Sequence, residues 1–112
     1  MTQSCSSSCD ALQANSTDLQ QEQEFALLAK ALSHPARVRI LKILINLDKL
    51  GGCLNSDLVA ELGLAQSTVS EHLRILKVAG FITAEPIPPK MCYRINPEKT
   101  TEFKALVKSL ID

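Results

Sequence analysis

A mainly α-helical domain with one small β-hairpin is the fold class this sequence predicts, and three observations predict it. Apolar residues recur at helical spacing through most of the chain. Residues 54–82, LNSDLVAELGLAQSTVSEHLRILKVAGFI, read as two short helices joined at a glycine. Two short runs, 81–85 and 91–96, flank a proline-rich tip as the strands of a hairpin would. At 112 residues and 46% hydrophobic content the chain can bury one core, which makes it a single domain.

The elements follow in order. Residues 1–16 are rich in Ser and Gln with almost no large apolar side chain, so a flexible, cysteine-containing arm is expected there and a folded domain over 17–112. A first helix should start near Asp18 and run to Leu32. Ser33, His34 and Pro35 interrupt it, and Pro35 suits the first turn of a second helix. In that helix Val38, Leu41 and Ile45 alternate with Ile40, Ile43, Leu44 and Leu47, so apolar residues lie on nearly all sides and the helix is central. Gly51 and Gly52 end it, with Cys53 and Leu54 briefly extended.

The two-helix element comes next. Asn55 or Ser56 can cap its first helix, Leu58, Val59 and Leu62 form the apolar stripe, and Gly63 supplies the positive φ of a tight exit. Ser67 is expected to cap the second helix, whose Val69, Leu73 and Leu76 face inward. That leaves Gln66, Ser67, Thr68, Ser70, His72 and Arg74 on the outer side, where base edges and phosphates would lie. Gly80 closes this helix and Pro97 opens the last one, with Phe103, Leu106, Val107, Leu110 and Ile111 on a single stripe. Helices, a helix-turn-helix and a strand pair in this order make a winged helix-turn-helix. The chain has no internal repeat.

Charge bears on the partner. The formal net charge is zero, which argues against a polyanion until its distribution is considered. Residues 1–24 hold Asp10, Asp18, Glu22 and Glu24 and no Lys or Arg, whereas residues 25–112 hold all 12 basic residues against 8 acidic ones. The body is modestly basic, and a dimer would double that charge over one face of a duplex. No run approaches a membrane span and no stretch resembles a secretion signal, so a cytoplasmic chain with reduced thiols is expected. No cysteine is visibly paired with an activating base and no loop is built to cradle phosphate, which speaks against an enzyme.

The segments ALLAKALSHPARVRILKIL (26–44), DLVAELGLAQSTVSEHLRILKVAGFI (57–82) and YRIN (93–96) closely resemble the ArsR/SmtB family of bacterial metal-sensing repressors, and the resemblance covers roughly residues 25–112. It implies a homodimer whose first and last helices pack together, a recognition helix in the major groove of operator DNA and a wing beside it. It also implies that the ligand-free dimer blocks transcription until an inducer releases it. Within the recognition helix Gln66, Ser67, Thr68 and Ser70 are positioned for bases or phosphate, Arg74 and Lys77 for the backbone or simply for solvent, and His72 for phosphate or for packing at the base. Many members carry an Arg-Gly-Arg wing tip; here it is Pro86, Ile87, Pro88, Pro89 and Lys90, so wing contact rests on Lys90, with Arg94 as a second cation.

The cysteines point to an inducer. Cys5 and Cys9 sit four residues apart in a polar arm with no core to join, and soft thiolates select thiophilic ions. Trivalent arsenic or antimony is satisfied by three sulfurs, and Cys53, just before the helix-turn-helix, is the candidate for the third. Some arsenic-responsive members are similar in having an N-terminal cysteine pair and a cysteine at the glycine turn, joined across the dimer. Residues 10–17, extended, reach up to about 28 Å at roughly 3.5 Å per residue.

A branch responsive to cadmium and lead shares the CxxxC arm but has a CxC where this chain has Leu54, Asn55 and Ser56, so cadmium or lead is the lesser alternative. Cys92, in the second strand beside Tyr93, reads as core. His34, in the SHP corner, reads as a structural hydrogen-bonding group. The zinc site of Asp, His and Glu that one branch carries on its last helix is absent, since residues 97–112 contain no His. The expectation is a metalloid-responsive repressor with Cys5, Cys9 and Cys53 as ligands. A redox sensor built on a Cys5–Cys9 disulfide is the alternative of another kind.

Overall fold

The computed structural model describes residues 11–54 and 58–111, so Cys5 and Cys9 and the proposed caps Asn55 and Ser56 lie outside the described residues. Its elements run α1 (Ser16–Ala31), α2 (Pro35–Lys49), α3 (Leu58–Leu62), α4 (Gln66–Ala79), β1 (Ile82–Ile87), β2 (Lys90–Ile95) and α5 (Pro97–Ile111). The mainly helical fold with an antiparallel hairpin is therefore as the sequence predicts, and α3, α4 and the hairpin form the winged helix-turn-helix.

Local chemistry explains most boundaries. The first helix starts at Ser16, two residues before Asp18, because Asn15 and Asp18 close a capping box: the Asp18 N–H donates to Asn15 Oδ1 at 2.8 Å and the Asn15 N–H to Asp18 Oδ2 at 3.3 Å. Pro35 occupies the first turn of α2, and His34 caps it by accepting from the Ala36 N–H on Nδ1 at 3.0 Å. Gly63 has φ +66°. Gly80 has φ +90°, its N–H donates to the Lys77 carbonyl and the Phe81 N–H to the Leu76 carbonyl, each at 3.0 Å, which is the Schellman closure.

The expected Ser67 cap is corrected. The N-cap is Ala65, with no side-chain cap bond, and Ser67 lies inside the first turn because the helix already begins at Gln66. Both strands extend one or two residues further toward the tip than their composition suggests, with Pro86 opposite Met91. In a two-stranded ribbon each strand is an edge, and an edge tolerates proline.

The core is shared by all layers. Ile40 and Leu44 of α2, Leu76 of α4, and Phe81 and Ile82 at the hairpin base are almost wholly enclosed. Half-buried Leu41, Ile43, Ile45 and Leu47 pack around them, so α2 is central, although Val38 faces solvent. Phe25 of α1 stacks on Phe103 of α5 at 5.5 Å between centroids, and Phe103 meets the edge of Phe81 at 5.7 Å. Those three rings tie the first and last helices to the foot of the wing. Leu54 forms an isolated antiparallel bridge with Tyr93, so the expected extended stretch is seen at Leu54.

Candidate nucleic-acid interface

The recognition helix divides cleanly. Val69, His72, Leu73 and Leu76 are buried, while Gln66, Ser67, Thr68, Ser70, Glu71, Arg74 and Lys77 are exposed. At and just beyond its first turn, α4 thus presents the Gln66 amide and the hydroxyls of Ser67, Thr68 and Ser70 on its solvent-facing side. Those are short donors and acceptors on a rigid element, the equipment that base-edge readout needs.

His72 is corrected as a DNA contact. It is 5% exposed, and its Nδ1 lies 3.0 Å from Arg37 Nη1. A guanidinium only donates, so Nδ1 accepts and the ring proton sits on Nε2, which is buried with no partner among the described residues. The His34 ring lies 4.4 Å away between centroids, tilted by 50°. Burial first, then the neighbouring His34 and Arg37, holds the His72 imidazole below its usual pKa, with Glu71 acting the other way.

Arg37 is the residue sequence reasoning missed. Its Nε donates to the Ala31 carbonyl at 2.7 Å, Nη1 to His72, and Nη2 to Ser33 Oγ at 3.4 Å. One side chain therefore joins the end of α1, the start of α2 and the middle of α4. The signal was present in the spacing: His72 stands three residues after Val69 and four before Leu76, on the inward stripe, and a buried histidine needs a partner.

The cations are distributed unevenly. Arg74 is committed within its own helix, Nε to Glu71 Oε1 and Nη2 to Oε2, both at 2.7 Å. That pairing holds the Glu71 carboxyl below the ordinary carboxylate range, but both groups are solvent-exposed, so it competes weakly against a phosphate. Lys77 and Lys90 are exposed. Arg94 instead donates Nη1 to the Gly52 carbonyl at 3.3 Å, bracing the loop before the helix-turn-helix. Pro88 and Pro89 form the wing tip next to Lys90.

The thiols hold the largest departure from expectation. Cys53 and Cys92 are joined in a disulfide with Cα atoms 5.7 Å apart, across 39 residues of sequence. Cys92 is fully buried, as its place in the strand suggested, but as a bonded partner rather than an inert core residue. In this form Cys53 has no thiolate to offer, so any ligand role belongs to the reduced protein. Among the described residues no three His, Cys, Asp or Glu side chains converge to hold a metal ion. Among them, too, no helix is long and apolar enough to cross a membrane.

Comparison with known proteins agrees with this geometry. The family model described as "Bacterial regulatory protein, arsR family" matches residues 34–84, from the His34 cap through the first half of β1. The uncharacterized HTH-type transcriptional regulator Rv0081 of Mycobacterium tuberculosis is 35% identical over 83 residues, covering 73% of this chain and 69% of that one. The HTH-type transcriptional repressor SmtB of the same organism is 37% identical over 68 residues, 61% of this chain and 47% of that one. Among solved structures, an ArsR-like transcriptional regulator from Rhodococcus sp. RHA1 superposes with a TM-score of 0.64 at 19% identity, over 81% of this chain and 82% of that one, a likeness of fold.

Proposed function

We propose a metalloid-responsive repressor, on the premise that this chain belongs to the ArsR family of helix-turn-helix transcriptional regulators. It binds operator DNA as a homodimer, placing α4 in the major groove with Gln66, Ser67, Thr68 and Ser70 toward the bases and Lys77 and Lys90 toward phosphates. Arg74 joins them by exchanging Glu71 for a phosphate oxygen. Trivalent arsenic or antimony, held by the thiolates of Cys5, Cys9 and Cys53, releases the dimer; cadmium or lead is the lesser alternative.

The observation that carries the reading is the position of Cys53. It sits in the segment that leads into the helix-turn-helix, and that segment is bonded to the wing through the Leu54–Tyr93 bridge and the Arg94–Gly52 contact. An ion gathered there from the arm, within one subunit or across two, pulls on the recognition helix and the wing together. Part of the ligation energy goes into ordering the arm. By linkage, operator DNA weakens ion binding by the same factor, typically about 1–3 kcal/mol of coupling.

The test is fluorescence anisotropy of a duplex carrying the chain's own upstream DNA, titrated with reduced protein and then with arsenite, antimonite, cadmium or lead. Arsenite should release the wild type and leave Cys53→Ser bound. Tight binding that no thiophilic ion disturbs would sink the sensing half of the proposal. Absence of specific binding would sink the whole.

A further inference from the structure

We propose that Cys53 and Cys92 form a preorganised dithiol that, when reduced, takes a trivalent arsenical with two open valences and, when oxidised to the disulfide, refuses it. This goes beyond the three-thiolate reading above: it pairs Cys53 with Cys92 instead, as a two-thiolate site that needs neither Cys5 nor Cys9, and it adds a redox gate.

The backbone keeps the two sulfurs together whether or not they are bonded. The Leu54 N–H donates to the Tyr93 carbonyl at 2.9 Å and the Tyr93 N–H to the Leu54 carbonyl at 3.0 Å, so the residues next to each cysteine are paired through a closed ring of two hydrogen bonds. Arg94, on the far side of Tyr93, holds the Gly52 carbonyl. Reduction removes one covalent link and leaves three hydrogen bonds in place. With Cα atoms 5.7 Å apart in the disulfide, the two thiols of the reduced pair lie within reach of a single arsenic atom.

The donor count selects the ligand. Among the described residues no third His, Cys, Asp or Glu completes a set around this pair. Zinc and similar tetrahedral ions need four ligands, whereas a monosubstituted trivalent arsenical is complete with two sulfurs. Its product carries no formal charge, which suits Cys92, fully buried at the foot of the wing.

Access gives the gate a direction. Cys53 is half-buried and Cys92 enclosed, so a small thiolate attacks the Cys53 sulfur and the Cys92 thiolate leaves. A second small thiol then frees Cys53. In sum the protein disulfide and two small thiols give two protein thiols and one small disulfide, the two electrons coming from the small thiols; a small-molecule disulfide drives the reverse. The arsenical step is not a redox step. Phenylarsine oxide, C6H5AsO, and two protein thiols form C6H5As bridged by two sulfurs and release one water, with arsenic trivalent throughout.

The experiment uses the full chain carrying Cys5→Ser and Cys9→Ser, so that only Cys53 and Cys92 remain. The protein is reduced with a phosphine, desalted, and treated with phenylarsine oxide, then read by intact mass and by titration of free thiols. One adduct per chain with both thiols consumed is expected. Prior oxidation with glutathione disulfide should abolish the adduct, and re-reduction should restore it.

Adding Cys53→Ser should abolish it as well. Because Cys92 is enclosed, Cys92→Ala is accompanied by a circular-dichroism melt, and the oxidised protein serves as the control without a further substitution. No adduct on the reduced protein, an adduct on the oxidised one, or an adduct surviving Cys53→Ser would each overturn the proposal. Arsenite failing to release the wild type from DNA while the adduct forms would refute the repressor switch and uphold the dithiol.

Discussion

At the scale of single residues, the two histidines and Arg37 make the junction on which the recognition helix rests. Arg37 donates to the Ala31 carbonyl, to Ser33 and to His72, so the orientation of α4 depends on a neutral imidazole accepting from a guanidinium. Protonation of His72 would set two donors and two positive charges against each other. Its pKa is held below the ordinary 6.5 by burial and by His34 and Arg37. The sign follows from linkage: as pH falls past the unfolded value, the unfolded chain takes up the proton first, so stability present above about pH 6.5 is lost as pH falls toward the lower folded value. The expected outcome is a melting temperature that declines as pH is lowered from about 7 to about 5. In His72→Gln, whose amide oxygen can still accept from Arg37 and does not titrate, that decline should be shallower. Equal slopes in the two proteins would remove His72 from the account.

At the scale of elements, glycine geometry decides how the recognition helix hands over to the wing. Gly80 has φ +90°, and a Cβ there would approach Lys99 Cε to 2.9 Å. The lysine tail can swing aside, but the left-handed backbone remains costly for an L side chain. Gly80→Ala should therefore destabilise by about 1 kcal/mol or somewhat more, read as a lower urea midpoint with an unchanged slope.

Gly80 also shows what was legible in the sequence. Helix ends marked by Pro35, Gly63, Gly80 and Pro97 could be read because each residue type carries its own backbone constraint. The start of α4 could not: Ser67 is the better capping residue, yet the chain enters the helix at Gln66 from Ala65. His72 reads by its chemical type as a phosphate contact or as packing at the helix base, and its spacing, with that of Val69 and Leu76, decides for the buried position. The Cys53–Cys92 bond, 39 residues apart, depends on how β2 lies against the loop before α3, a tertiary fact that no local spacing encodes. The outer strip of α4 was legible because it is the complement of a periodic apolar stripe.

At the scale of the whole molecule, apolar surface left on the outermost helices argues for a second copy. Leu19 and Leu27 of α1 are 51% and 69% exposed, and Leu110 and Ile111 of α5 are 43% and 77% exposed, while the Phe25–Phe103 stack sets these two helices side by side. The basic excess also lies wholly within residues 25–112, so a second copy doubles the positive charge set against one duplex. Pairing through α1 and α5 would cover the apolar strip, present two α4 helices to successive turns of the major groove, and double the phosphate contacts proposed for Lys77 and Lys90. Leu110→Glu with Ile111→Glu tests this without touching the core, since both side chains face solvent in the single chain. Sedimentation should show the wild type as a dimer and the variant as a monomer with an unchanged far-UV spectrum. The variant's operator affinity should then fall, and because each Lys–phosphate contact releases a counterion, its dependence on log salt should be about half as steep. A variant that remains dimeric would place the subunit contact elsewhere, and one that is monomeric yet binds operator with undiminished affinity would mean that one α4 suffices.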